Sequence, residues 1–248
     1  MMEEMRFLSQ GETGLVVEFG NEIDPIVNTH VQALSRLIGK EDKQLIEAVV
    51  PTYRSLLIYF DPTQVDRVEL ICKIKKIESE LHNVQAEISN TKIVRIPTLY
   101  GGEAGPDLEF VANHNNLAVE EVIRIHTSVA YRIYMMGFTP GFPYLGGMSE
   151  KIATPRLKTP RISIPAGSVG IAGSQTGLYP VESPGGWQLI GRTPLKVFDP
   201  LNQQPFLYSA GDYLQFEPIT AEEYERIREE VEHGHYCPQI APMKEAIR

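Results

Sequence analysis

Fifty-eight residues, Gly137 to Pro194, carry 11 of the chain's 20 glycines and 8 of its 18 prolines. Proline removes a backbone donor and glycine weakens a helix, so no long helix fits this stretch. Apolar runs too short for helices sit between the turns: Ile162–Pro165, Val169–Ala172 and Trp187–Ile190, then Leu195–Phe198 and Tyr213–Phe216. Short strands separated by turns predict a barrel or sandwich.

The residues before it have another texture. Gly14–Gly20 is an apolar run bounded by glycines, and Leu45–Val50 and Ser55–Phe60 are rich in β-branched and aromatic residues, so all three predict strands. Asp24-Pro25 and Asp61-Pro62 each predict a helix start, with Asp as cap and Pro in the first turn. The polar stretch His82–Lys92 marks a boundary. The predicted fold class is therefore an α+β N-terminal domain, residues 1–90, followed by a mainly-β barrel domain with flanking helices, residues 91–248. Within the second domain, Ile93–Ile96 predicts a strand ending at Pro97. Asn116 predicts the cap of a helix whose buried face runs through His126 to Val129, Ala130 and Ile133. Thr220 predicts the cap of a last helix, with Glu222 and Glu223 in its first turn. The tail after Gly234 predicts loose order.

Composition narrows the function. The formal charge of −9 over 248 residues, without a dense Lys/Arg run, argues against nucleic acid. Only two cysteines, Cys72 and Cys237, occur, neither in a CxxC pair, which disfavours a disulfide scaffold and a zinc site. No metal site is predicted. There is no basic region leading into an apolar run at the N-terminus and no long apolar span, so the expected location is the cytoplasm, away from the membrane.

The dense stretch holds glycines at GxxGxxG spacing, Gly167, Gly170 and Gly173. A dinucleotide fingerprint needs GxGxxG before a helix, and a Walker loop needs a terminal Lys-Ser/Thr; both are absent. These glycines serve either close backbone packing or a ligand pocket. Interleaved with them are Ser168, Gln175, Thr176, Tyr179 and Ser183, which give and take hydrogen bonds without charge. Phe138, Phe142, Tyr144 and Trp187 supply an apolar wall, as a small polar ligand requires. If they point outward instead, Phe138, Phe142 and Tyr144 form a partner-binding patch. Lys151, Arg156, Lys158, Arg161 and Arg192 stand against Glu150 and Glu182, a local balance of +3 in an acidic chain. Arginines beside Thr-Pro pairs suit carboxylate or phosphate, though solvated or structural arginines fit equally. No GxSxG elbow and no cysteine–histidine pair is legible, and His126 reads as a core histidine. The catalytic residues stay unassigned.

GFTPGFPYLGG (Gly137–Gly147), PRISIPAGSVGIAGSQTGLYP (Pro160–Pro180) and SPGGWQLIGRTP (Ser183–Pro194) closely resemble the allophanate hydrolase subunit 1 family. The resemblance covers essentially the whole chain. It implies a cyclophilin-like barrel, which on fold alone says nothing of prolyl isomerisation. It implies partnership with 5-oxoprolinase subunits C and A in ATP-dependent opening of 5-oxoproline to L-glutamate, with ATP bound by the assembled complex. Some members are credited with blocking autophosphorylation of a sporulation histidine kinase. A urea amidolyase or allophanate hydrolase component is the remaining alternative; the related carboxyltransferase domain of urea carboxylase uses the homologous barrel pair in biotin-dependent transfer, and no biotin is expected on this chain. If the acid is 5-oxoproline, Arg161 or Arg192 can hold its carboxylate and Gln175, Thr176 and Ser183 can address the lactam. Backbone N–H groups at Gly185 and Gly186 can meet an oxyanion.

Overall fold

In the computed structural model, residues 5–40, 45–79, 81 and 91–243 are described. The chain divides into two compact units, Met1–Thr91 and Lys92–Arg248. Most of the predicted boundary, residues 82–90, lies outside the described residues.

The first unit is an antiparallel sheet with two helices. Strands β1 (Arg6–Gln10), β2 (Gly14–Glu18), β3 (Ile46–Pro51) and β4 (Ser55–Phe60) lie in the order β1-β2-β4-β3. Helix α1 (Pro25–Ile38) starts where Asp24 accepts the Ile26 and Val27 N–H groups. Helix α2 (Arg67–Ser79) does not start at Asp61-Pro62. Asp61 instead closes a turn onto Thr63, while Asp66 accepts the Val68 and Glu69 N–H groups and caps the helix. Leu15 and Val17 from β2, Leu56 and Ile58 from β4, Val31 and Leu34 from α1, and Leu70 and Ile74 from α2 make the core.

The second unit is built around β5 (Lys92–Tyr100), which continues through Pro97. The sheet order is β10-β9-β12-β5-β13-β6-β7, with β14 also on β5. Its strands are β6 (Tyr131–Met136), β7 (Pro143–Gly146), β9 (Ser168–Ala172), β10 (Gln175–Leu178), β12 (Gln188–Arg192), β13 (Tyr213–Pro218) and β14 (Ile240–Pro242). The end strands β7 and β10 approach each other, so the sheet nearly closes into a barrel. One edge of β5 is shared: β14 pairs with Lys92–Val94, Arg95 donates to Gln239 O, and β12 pairs with Leu99 and Tyr100. Pro97 falls in the gap between these partners, where no N–H is needed. A separate ribbon joins β8 (Arg161–Ile164) to β11 (Ser183–Gly185).

Helices α3 (Leu108–His114), α4 (Val119–Thr127) and α5 (Ala221–Glu232) complete the unit. Thr220 caps α5 in a reciprocal capping box with Glu223, as its sequence predicts. The α4 expectation needs correcting at both ends. Ala118 precedes the helix and Asn116 has φ +54°, so Asn116 is a turn residue and not its cap. Thr127 and Ser128 hydroxyls bond back to the Ile123 and Ile125 carbonyls at its C-terminus, and Ile133 belongs to β6. Pairing of β6 with β13 and β7 overrides the helical spacing of Val129 and Ile133. Leu195–Phe198 forms only an isolated bridge, Phe198 to Phe206, and part of the tail is the strand β14.

A candidate ligand site walled by aromatic rings

Phe142 is the hub of the site. It is 3% exposed and meets Phe138, Tyr144, Tyr179 and Trp187 edge-on, with ring centroids 5.6, 5.6, 5.4 and 5.7 Å away. Each such pair adds about 0.5–1.5 kcal/mol beyond its buried area. Two glycines make room for the rings. A Cβ on Gly177 would lie 2.8 Å from Trp187 Cζ3, and one on Gly185 would lie 2.5 Å from Tyr179 Oη. These glycines are therefore packing devices in the first instance.

The rings wall a depression of about 420 Å³, within the usual range for small-ligand sites. Phe138, Phe142, Tyr144, Tyr179 and Trp187 line it, together with Gln175, Gly185 and Gly186. Of the thirteen residues singled out in the sequence, these eight come together. Pro160, Pro184 and Arg156 complete the lining, and no carboxylate lies among them. Burial pushes the Tyr179 hydroxyl up to about 12, against the pull of Arg156 and Arg161, so it stays protonated at neutral pH.

Arg156 is one of the three arginines beside Thr-Pro pairs, but the sequence does not prefer it to Arg161 or Arg192. Its guanidinium carbon sits 5.9 Å from the Trp187 ring centroid, and among the described residues it has no ion-pair partner. Its backbone is fixed on both sides: Gln188 Nε2 donates to Pro155 O at 2.8 Å and Leu157 N–H donates to Gly186 O at 2.7 Å. The preceding Thr154 exchanges backbone hydrogen bonds with Gly173.

The other five candidates lie outside this depression. Arg161 is not an open anion grip: its Nη2 reaches Asp107 Oδ1 and Oδ2 at 2.8 and 2.9 Å, and Nη1 donates to Trp187 O. Asp107 also accepts Leu189 N–H, so this pair clamps the start of β12. Arg192 donates Nε to Ala166 O and lines a different depression, of about 380 Å³, with Tyr224 and Arg228 of α5. Ser168 is buried and donates to Pro165 O. Thr176 is buried, with Oγ1 2.7 Å from His126 Nε2 and 3.2 Å from Gly170 O. Ser183 Oγ is buried without a partner among the described residues, and Ser183 does not line the depression. As an outward patch the three aromatics are unequal: Phe138 is 65% exposed, Tyr144 is half-buried and Phe142 is buried.

His126 is fully enclosed. Tyr100 Oη lies 2.7 Å from its Nδ1, and its ring packs 4.7 Å from Phe216. Thr176 donates to Gly170 O, so it accepts from His126 Nε2–H, and Nδ1 then accepts from Tyr100. The imidazole is satisfied and neutral, with burial lowering its pKa to about 3. It has no access to a substrate proton. No cluster of three or more potential metal ligands occurs among the described residues. No described helix is long and apolar enough to cross a membrane.

Residues 5–208 match the model of the carboxyltransferase domain, subdomain C and D. The chain belongs to this family. Its relatives include the B subunit of 5-oxoprolinase from Bacillus subtilis, 45% identical over 89% of this chain and 95% of that protein. The corresponding B subunit of 5-oxoprolinase from Escherichia coli O157:H7 is 38% identical over 88% of this chain and 97% of its own length. Among solved structures, TTHA0988 is 33% identical with a TM-score of 0.74, over 84% of this chain and 40% of that one. The family fold thus occurs both as a chain of this length and within a longer one.

Proposed function

We propose that this chain is a non-autonomous subunit of a cytoplasmic ATP-dependent 5-oxoprolinase, which opens 5-oxo-L-proline to L-glutamate together with subunits A and C. The observation that carries the proposal is the 45% identity to a 5-oxoprolinase B subunit over nearly the full length of both chains. The site supports it in kind. It offers aromatic surface, a protonated phenol and a cation, which suit binding a small polar ring. It presents no nucleophile–base pair among its lining residues, so the chain alone is inactive and groups from its partners complete the chemistry. ATP belongs to the assembled complex and no biotin is carried on this chain. The barrel is read as cyclophilin-like, a likeness of fold that carries no isomerase function with it.

Reconstitution tests this. The chain with subunits A and C is expected to release glutamate only when both ATP and 5-oxoproline are present, and the chain alone to release none. Urea and allophanate are run in parallel. Turnover of urea without turnover of 5-oxoproline would move the protein to the urea amidolyase branch.

A further inference from the structure

We propose that Arg156, presented on the face of Trp187, is the carboxylate-reading residue of the aromatic depression. The site would therefore take a small planar ring acid in preference to a neutral lactam. The identity of the acid rests on the 5-oxoproline reading; the placement of the cation rests on geometry. Among the described residues, Arg156 is the one cation in the lining, and no carboxylate there competes for it. The other two arginines of this stretch are committed elsewhere, Arg161 to Asp107 and Arg192 to Ala166 O in the second depression.

Arg156 is exposed and its guanidinium carbon stands 5.9 Å from the Trp187 ring centroid. A cation over an aromatic face is attracted to the ring without spending its N–H groups on it, so they stay free for an anion. A carboxylate can then be held by two parallel N–H bonds. The stem rises from backbone tied at Pro155 O and at Leu157 N–H, which limits the ordering cost on binding. The ring of the acid would lie against Phe142 and Tyr144, with the Tyr179 hydroxyl as a neutral donor.

Trp187 is the only tryptophan of the chain, so its emission reports on this site directly. The experiment titrates the isolated full chain with 5-oxo-L-proline and, in parallel, with 2-pyrrolidinone, the same ring without the carboxylate. The expected result is a saturable change in emission with the acid and a much weaker response to pyrrolidinone. Arg156→Gln should weaken acid binding about tenfold or more, the loss of one charge-assisted contact. Arg156→Lys should recover part of it, and Arg192→Ala should bind like wild type. Arg156 is exposed, so its variants are expected to melt with the wild type, and circular dichroism checks that. A silent titration, equal binding of pyrrolidinone, or wild-type affinity in Arg156→Gln overturns the assignment. Glutamate release by the reconstituted complex beside a silent titration removes this site and leaves the function standing. A clear titration beside a complex that ignores 5-oxoproline does the reverse.

Discussion

His126 shows how one buried side chain sets a pH dependence. Burial holds its pKa at about 3, against 6.5 for a free imidazole. Between those values the unfolded chain takes up a proton that the folded chain refuses. Stability therefore rises with pH across this window, and the contribution is lost as pH falls from 6.5 towards 3. Urea melts at a series of pH values should show this decline, and a His126→Asn variant should show a shallower one from a lower starting stability. Thr176→Val removes the acceptor of His126 Nε2–H and should cost about 1–3 kcal/mol, the usual penalty of an orphaned buried donor. Gly177→Ala drives a methyl into the indole of Trp187 and should cost about 1–3 kcal/mol in denaturant melts, with a shift in Trp187 emission.

At the scale of elements, the Arg161–Asp107 pair joins β8 to the start of α3 and, through Leu189 N–H, to β12. Arg161→Ala leaves Asp107 largely buried with a remaining backbone donor. Because the pair is partly exposed, its loss should destabilise by about 1–2 kcal/mol, below the roughly 3–5 kcal/mol of a fully buried pair. A double-mutant cycle with Asp107→Ala measures the coupling, and additive losses would show the two to be independent. This pair also explains what the sequence could reveal about the site. The aromatic residues and Gln175 were legible because they crowd one glycine-rich stretch. Arg156 and Arg161 both follow Thr-Pro and look alike in sequence. Only the partner Asp107, 54 residues before Arg161, tells them apart. Thr220 and Glu223 announced α5 through a local reciprocal bond, whereas β6 depends on pairing with β13 far along the chain. Local chemistry was readable; long-range pairing was not.

On the scale of the whole molecule, the site sits in a stretch of local charge +3 within a chain of −9. Two fields then act on an approaching carboxylate: attraction close to Arg156 and repulsion from the rest. Beyond about 10 Å at 0.1 M salt the distant charges are screened, while the close contact survives better. Moderate salt should therefore leave the affinity for 5-oxo-L-proline nearly unchanged or raise it, and a steep fall with salt would show that binding rests on diffuse surface charge. The same titration of Trp187 emission, repeated across ionic strength, decides the matter.

Strand β5 lies at the start of the second unit, yet it is flanked by β12, β13 and β14, all far later in the chain. Lys92 pairs with Pro242 and Ile93 with both Tyr213 and Ala241. During synthesis from the N-terminus, β5 is complete long before any of these neighbours exists. Its Val94 and Ile96, which end in the core, then face water beside unpaired backbone groups, the condition under which strands pair with the wrong chain. Pairings of such long sequence separation slow closure, so the second unit is expected to complete its sheet only after Ile240–Pro242 has been made.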